Sequence, residues 1–131
     1  MLKCRLEEKL PSVNSLYFHV RNMKVMKPDA KNLRQMIMLK RKGQVDPTME
    51  LRCSITVGSP RWYNKNATIK KRDIANLEKF LIDSVMKDLE ADDCQIFFTS
   101  MQKVVSETEW FEIVIEEDES LGRKKLFDAS R

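Results

Sequence analysis

Between residues 70 and 96 the chain gathers side chains able to hold a cation against a phosphodiester. Lys70, Lys71 and Arg72 run directly into Asp73. Asn76, Lys79 and Asp83 follow, and Asp92 and Asp93 stand just before Cys94-Gln95-Ile96. Arg72, Asn76, Lys79 and Asp83 lie at helical offsets and would form one stripe, with Ile74, Leu77, Leu81 and Val85 on the opposite side. Asp73 falls at the helix start, where its carboxylate either caps the helix or is left for a metal. A hard cation such as Mg²⁺ takes carboxylate oxygens and keeps several waters, so a few acids with an open face suffice. A metal there would activate water and neutralise charge on a phosphoryl group, and a neighbouring lysine would stabilise the crowded phosphate. Spacing alone does not select this chemistry, since polar stripes on helices are usually just solvated.

Periodicity shows which elements must position these groups. Leu2, Cys4 and Leu6 alternate with Lys3, Arg5 and Glu7, a half-buried strand that Pro11-Ser12 breaks. Residues 15–27 read as an irregular extended segment. Pro28-Asp29 opens a helix in which Leu33, Met36, Ile37 and Lys40 recur at helical spacing, with Gly43 as its stop. Met49, Leu51, Cys53, Ile55 and Val57 alternate as a second strand. After a loop rich in Gly, Pro, Asn and Lys, the pattern predicts a second helix over residues 73–89 and a turn at Asp92-Asp93. A strand over 94–105 then turns at Ser106-Glu107 into an antiparallel partner over 110–115. The order predicts one α+β domain, residues 1–116, with a mixed four-stranded sheet and two main helices. Residues 117–131 read as a charged, loose tail, with Leu121, Leu126 and Phe127 as docking candidates.

Composition narrows the class. With 42% hydrophobic and 34% charged residues in 131, the chain suits one soluble globular domain. No apolar run nears the roughly 20 residues a bilayer requires, and residues 1–10 lack the pattern of a signal peptide. Three scattered cysteines suit a reducing cytosol, and each falls in a strand-like run as a small buried hydrophobe. His19, the single histidine, has no second ligand at zinc spacing. With no Gly-rich phosphate loop, Ser-His-Asp order or CxxC, no nucleotide cofactor, acyl transfer or thiol redox chemistry is expected. Charge is strongly segregated. Residues 9–72 hold 15 Lys/Arg against 3 Asp/Glu, and residues 73–131 hold 7 against 15. A polyanion would be drawn to the first half and a cation to the second. Lys70, Lys71, Lys65 and Arg61 are therefore candidates for DNA contact, with Lys24 and Lys27 ahead of the first helix. Trp62 and Tyr63 either stack on bases or plug the edge of the sheet.

Arg72-Asp73-Ile74-Ala75-Asn76-Leu77-Glu78-Lys79, followed by Asp92-Asp93-Cys94-Gln95-Ile96, resembles the RusA family of Holliday junction resolvases. Pro11-Ser12, Asn14 and Tyr17 match that family's run after its first strand, and the likeness spans most of residues 2–116. The resemblance implies a homodimeric endonuclease on four-way branched DNA, with Mg²⁺ as cofactor and Mn²⁺ as a substitute, in the cytoplasm of a bacterial or phage-infected cell. It puts catalytic aspartates at Asp73 and Asp93, with Asp92 beside the metal, and the catalytic lysine at Lys79. Arg72 and Asn76 match a DNA-touching arginine and the asparagine of the helix motif. The family's second catalytic aspartate falls on Ala75, whose methyl cannot ligate a metal. Either the alanine is an engineered block on cleavage, or the chain is a natural member whose ligand is lost or moved to Asp83 or Glu78. In both cases the chain is expected to bind junctions and cut them poorly.

Overall fold

The computed structural model describes residues 1–122 and residue 126. Its centre is a five-stranded mixed sheet in the order β4-β1-β7-β5-β6, built from β1 (Leu2–Leu6), β4 (Lys42–Gly43), β5 (Leu51–Ser59), β6 (Ile96–Val105) and β7 (Trp110–Glu117). The four long strands are those expected. The fifth is the two-residue β4, where Gly43 adopts φ +88° and lies so close to the Met1 carbonyl that no Cβ would fit. Residues 15–27, read as irregular, instead form a separate two-stranded hairpin, β2 (Tyr17–Val20) with β3 (Met23–Met26).

Two helices cover the buried face. The first, α1 (Pro28–Lys40), starts on proline and buries Ala30, Leu33 and Ile37 along one stripe. It ends at Lys40, three residues before the expected glycine. The second, α2 (Glu78–Val85), is far shorter than the predicted span. A 3₁₀ turn over Ala75–Leu77 precedes it, and no side chain caps its first turn. Its C-terminal end is held from outside: Arg41 Nη1 donates to the carbonyls of Val85 (3.1 Å) and Lys87 (2.6 Å), groups that a helix end leaves without partners. Phe80, Leu81, Ile82, Ser84 and Val85 are all buried, because α2 packs against both the sheet and α1. Arg34 Nε donates to Ser84 Oγ, which supplies the one buried hydroxyl of this seam with a partner.

The predicted β6–β7 hairpin is incorrect. Strand β6 runs parallel to β5, β7 runs antiparallel to β5 and β1, and β5 separates the two. The buried pattern of β7 explains this. Phe111, Ile113 and Ile115 are fully buried and need neighbours on both sides, whereas β6 exposes Phe97, Phe98 and Val105 and tolerates the edge. Residues 106–109 pass over the end of β5, where Ser106 N–H donates to the Ser59 carbonyl. Thus β5, α2 and β6 make a parallel crossover, in which Arg72 is tied to the end of β5 at Ser59 and Gln95 to the residues that lead into it. Of the expected tail, residues 117–122 include the end of β7 and a turn at Asp118. Residues 123–125 and 127–131, Phe127 among them, lie outside the described residues.

Gly58 faces Trp110 across β5 and β7, and an added Cβ would meet the indole at 2.1 Å. Gly58→Ala should therefore force the indole aside and lower stability by about 1–3 kcal/mol, read as a reduced urea midpoint with an unchanged slope.

Candidate active site

A compact knot sets the path of the chain from β5 to α2. Trp62 is 5% exposed and its Nε1 donates to the Val104 carbonyl of β6 at 2.7 Å. The Arg72 guanidinium lies 4.7 Å and the Lys103 ammonium 5.0 Å from its ring centroid. Arg72 Nη1 also donates to Ser59 Oγ (3.1 Å) and to Glu109 Oε2 (3.4 Å), and Ser59 Oγ donates to Glu109 Oε1 (2.7 Å). Lys103 Nζ donates to the Arg72 carbonyl. Trp62 therefore plugs the sheet edge and presents no face for a base. Arg72, placed on DNA by the resemblance, has its guanidinium turned inward in the protein. The closing strands with Lys103 between them also fit the resemblance, whereas no motif or spacing in the sequence marks Ser59 or Glu109 as site residues. Only the folded path shows that they hold residue 72.

Asp73 follows this anchor and is exposed. Its Oδ1 accepts from Ala75 N–H at 2.9 Å and its Oδ2 from Asn76 Nδ2 at 3.3 Å, so the carboxylate closes its own turn. The predicted polar stripe is broken here, since Arg72 and Asn76 precede α2. On the helix itself, Lys79 pairs with Asp83 at 3.8 Å, with the lysine side chain 83% exposed.

The second acidic pair is built by a capping box. Asp92 Oδ1 accepts from Cys94 N–H, and Gln95 Oε1 accepts from Asp92 N–H. Gln95 Nε2 also donates to the carbonyls of Asp46 (3.0 Å) and Met49 (2.9 Å), which ties this turn to the entry of β5. In the sequence Gln95 belongs to the motif without an evident role, and its role is this clamp. Once one of them is protonated, Asp92 and Asp93 are joined by a hydrogen bond. That bond and the Cys94 N–H hold Asp92 below the usual carboxylate range. The same bond pushes Asp93 up, helped by desolvation and by the charges of Asp92 and Asp83, with Lys79 opposing.

Asp73 and Asp93 open into different hollows. Asp93 lines a small one with Lys79, Asp83, Glu78 and Thr99. Asp73 lines a larger cleft bounded by Lys9, Arg61, Lys70 and Lys71. Among the described residues, no group of three or more His, Cys, Asp or Glu is arranged to hold a metal ion. Ala75 is exposed at the turn and offers no donor. The donor set as it stands does not fit a carboxylate-held Mg²⁺. Of the remaining DNA candidates, Lys65 sits at the tip of a small loop closed by the Tyr63–Ile69 bridge. Lys24 lies over the Tyr17 ring, and Lys27 Nζ donates to the Asn14 carbonyl. Cys94, expected in a buried strand, is instead exposed in the 3₁₀ turn Asp93–Gln95.

A basic cleft around one carboxylate, together with a second hollow lined by a lysine and three acids, suits an α+β protein that works on a polyanion. The family model of the RusA endodeoxyribonucleases matches residues 8–116, and the chain belongs to this family of Holliday junction resolvases. A search of curated proteins finds no match. No helix among the described residues is long and apolar enough to cross a membrane.

Two outcomes follow from this geometry. Gln95→Ala removes the clamp and should lower stability by about 1–3 kcal/mol in a urea titration. Burial raises the thiol of Cys4 to about 11 and that of Cys53 to about 12. The Cys94 thiol is also raised, by desolvation and then by Asp92 and Asp93. A raised pKa means less thiolate at a given pH. A chromogenic disulfide at pH 8 should therefore label Cys94 alone in the native protein, more slowly than a free thiol, and all three cysteines after unfolding.

Proposed function

We propose that this chain binds four-way branched DNA as a symmetric homodimer, and that its alanine at position 75 leaves it impaired in cutting. The observation that carries the proposal is the placement of Asp73. It lies in a cleft bounded by Lys9, Arg61, Lys70 and Lys71, on the stretch that carries the family motif. Phosphates would be drawn to the cleft by these cations, and backbone contacts there would set the register of the strand. Two-fold symmetry suits a junction, because paired nicks must be placed symmetrically. We place the protein in the cytoplasm of a bacterial or phage-infected cell, with residues 1–116 as the working domain and the charged stretch after them as an appendage.

In this reading Lys79, held toward Asp83, offers its ammonium to the scissile phosphate from the hollow that contains Asp93. Asp73 and Asn76 fix the turn that presents the strand to it. The divalent metal requirement, Mg²⁺ or Mn²⁺, belongs to the form with an acid at position 75. A second reading, a dedicated non-catalytic binder of branched DNA, draws on two observations: the alanine and the lack of a three-acid cluster among the described residues.

Restoring the acid separates the two. Ala75→Asp should raise Mg²⁺-dependent cutting of a synthetic four-way junction at least about a hundredfold. If cutting stays flat while binding holds, the protein is a binder only. Lys70→Ala with Lys71→Ala should weaken binding to junction and duplex alike. The slope of log affinity against log salt should fall by about 0.9 for each phosphate that is no longer neutralised.

A further inference from the structure

The hairpin of β2 and β3 stands outside the main sheet, and its two faces differ sharply. One face seats Tyr17 and Met26 against the core, with His19 and Lys24 paired further out. The other face is wholly apolar. Phe18 pairs with Val25 and Val20 with Met23, and Phe18, Val20 and Met23 are 41%, 45% and 67% exposed. Two residues make the tip, Arg21 at φ 51° and Asn22 at φ 64°, the left-handed pair that a tight type I′ hairpin turn demands. The base is pinned: Lys27 N–H donates to the Leu16 carbonyl and Lys27 Nζ to the Asn14 carbonyl. An exposed apolar face on a two-stranded ribbon is a liability unless something covers it.

We infer that this hairpin is an arm that lays Val20, Met23 and Phe18 against unstacked base pairs at the centre of branched DNA. The inference rests on the DNA reading above and names the part of the chain that tells a branch from plain duplex. Three observations choose DNA as the occupant. Residues 9–28 carry Lys9, Arg21, Lys24 and Lys27 and no acid, with Arg21 at the tip of the arm and Lys27 at its base, so both ends of the arm are cationic. The segment that leads into the arm, Lys9 to Ser12, lines the same cleft as Lys70, Lys71 and Asp73, so the arm begins where the bound strand would lie. The face itself carries no charged side chain, so it is an apolar strip between cationic ends, which suits a base flanked by phosphates. Apolar side chains inserted at base steps are an established way for proteins to hold deformed DNA, and a branch point already lacks one stacking neighbour.

The test uses the full chain carrying Val20→Ser and Met23→Ser, both at exposed positions. The probes are an immobile synthetic four-way junction with 2-aminopurine at the branch and a duplex of equal length, at one stated salt concentration. The double variant should lose about tenfold in junction affinity and keep its duplex affinity and salt slope. The rise in 2-aminopurine fluorescence on binding should also disappear. A variant equal to the parent in junction affinity and fluorescence overturns the arm and leaves the resolvase reading intact. A parent chain with no preference for the junction over duplex overturns both. A drop in sedimenting mass on substitution, with or without loss of junction binding, assigns the face to subunit contact and overturns the arm.

Discussion

One half-buried guanidinium governs the geometry of the site. Arg72 lies against the Trp62 ring and bonds to Ser59 and Glu109, with Lys103 pressing on its carbonyl. These partners come from the end of β5, from β6 and from the loop that enters β7, so three strands and one residue set each other's positions. A cation stripped of part of its water is costly unless its donors are met. Here a carboxylate, a hydroxyl and a ring face meet them. The 3₁₀ turn of Asp73 therefore begins from a fixed point. Truncating Trp62, Glu109 or Lys103 would act on the site through Arg72 while touching no substrate.

The clamp at Gln95 plays the matching part for the second acidic pair. One amide side chain spans the turn before β6 and the loop before β5, through one accepted and two donated bonds. The parallel pairing of β5 and β6 then carries this turn beside α2, which puts Asp93 near Lys79 and Asp83. A motif of the form Asp-Asp-x-Gln is thus a small machine: an acid for the cap, an acid for the hollow and an amide that fastens both.

Much of this is legible in the residues. The strict alternation of Leu2-Cys4-Leu6 and of Leu51 to Val57 marks two strands with their buried faces, because period 2 is hard to produce by chance. Pro28 locates α1. The motifs point to the family, and residues 8–116 match it. What escapes the sequence is long-range. Whether two neighbouring strands pair or flank a third is not written in either one, and β5 lies between β6 and β7 because β7 needs cover on both sides. Trp62 looks free in a basic loop, but Val104, 42 residues away, captures its indole. Helix α2 begins later than its first acid suggests, because Asp73 caps its own turn and a 3₁₀ segment intervenes. The β2–β3 hairpin is hidden because its outer face is apolar, which blurs the alternation that marks a strand.

Position 75 joins these observations. The backbone N–H of Ala75 is the group that holds Asp73 Oδ1, and Asn76 holds the other oxygen. A second carboxylate two residues along the same turn would sit close to the first. Without a cation the two would repel, at a cost that grows as water is excluded. With a methyl there, Asp73 settles on its own backbone, and Asp92 settles on the Cys94 N–H. The acids are thus satisfied locally, while Lys9, Arg61, Lys70 and Lys71 around the cleft keep their attraction for a polyanion. A neutral residue beside the acid of this cationic cleft would strengthen that attraction, and it offers a metal no side-chain oxygen. On the proposed reading, an alanine at position 75 would favour grip over turnover, which a change at Lys79 or Lys71 would not do.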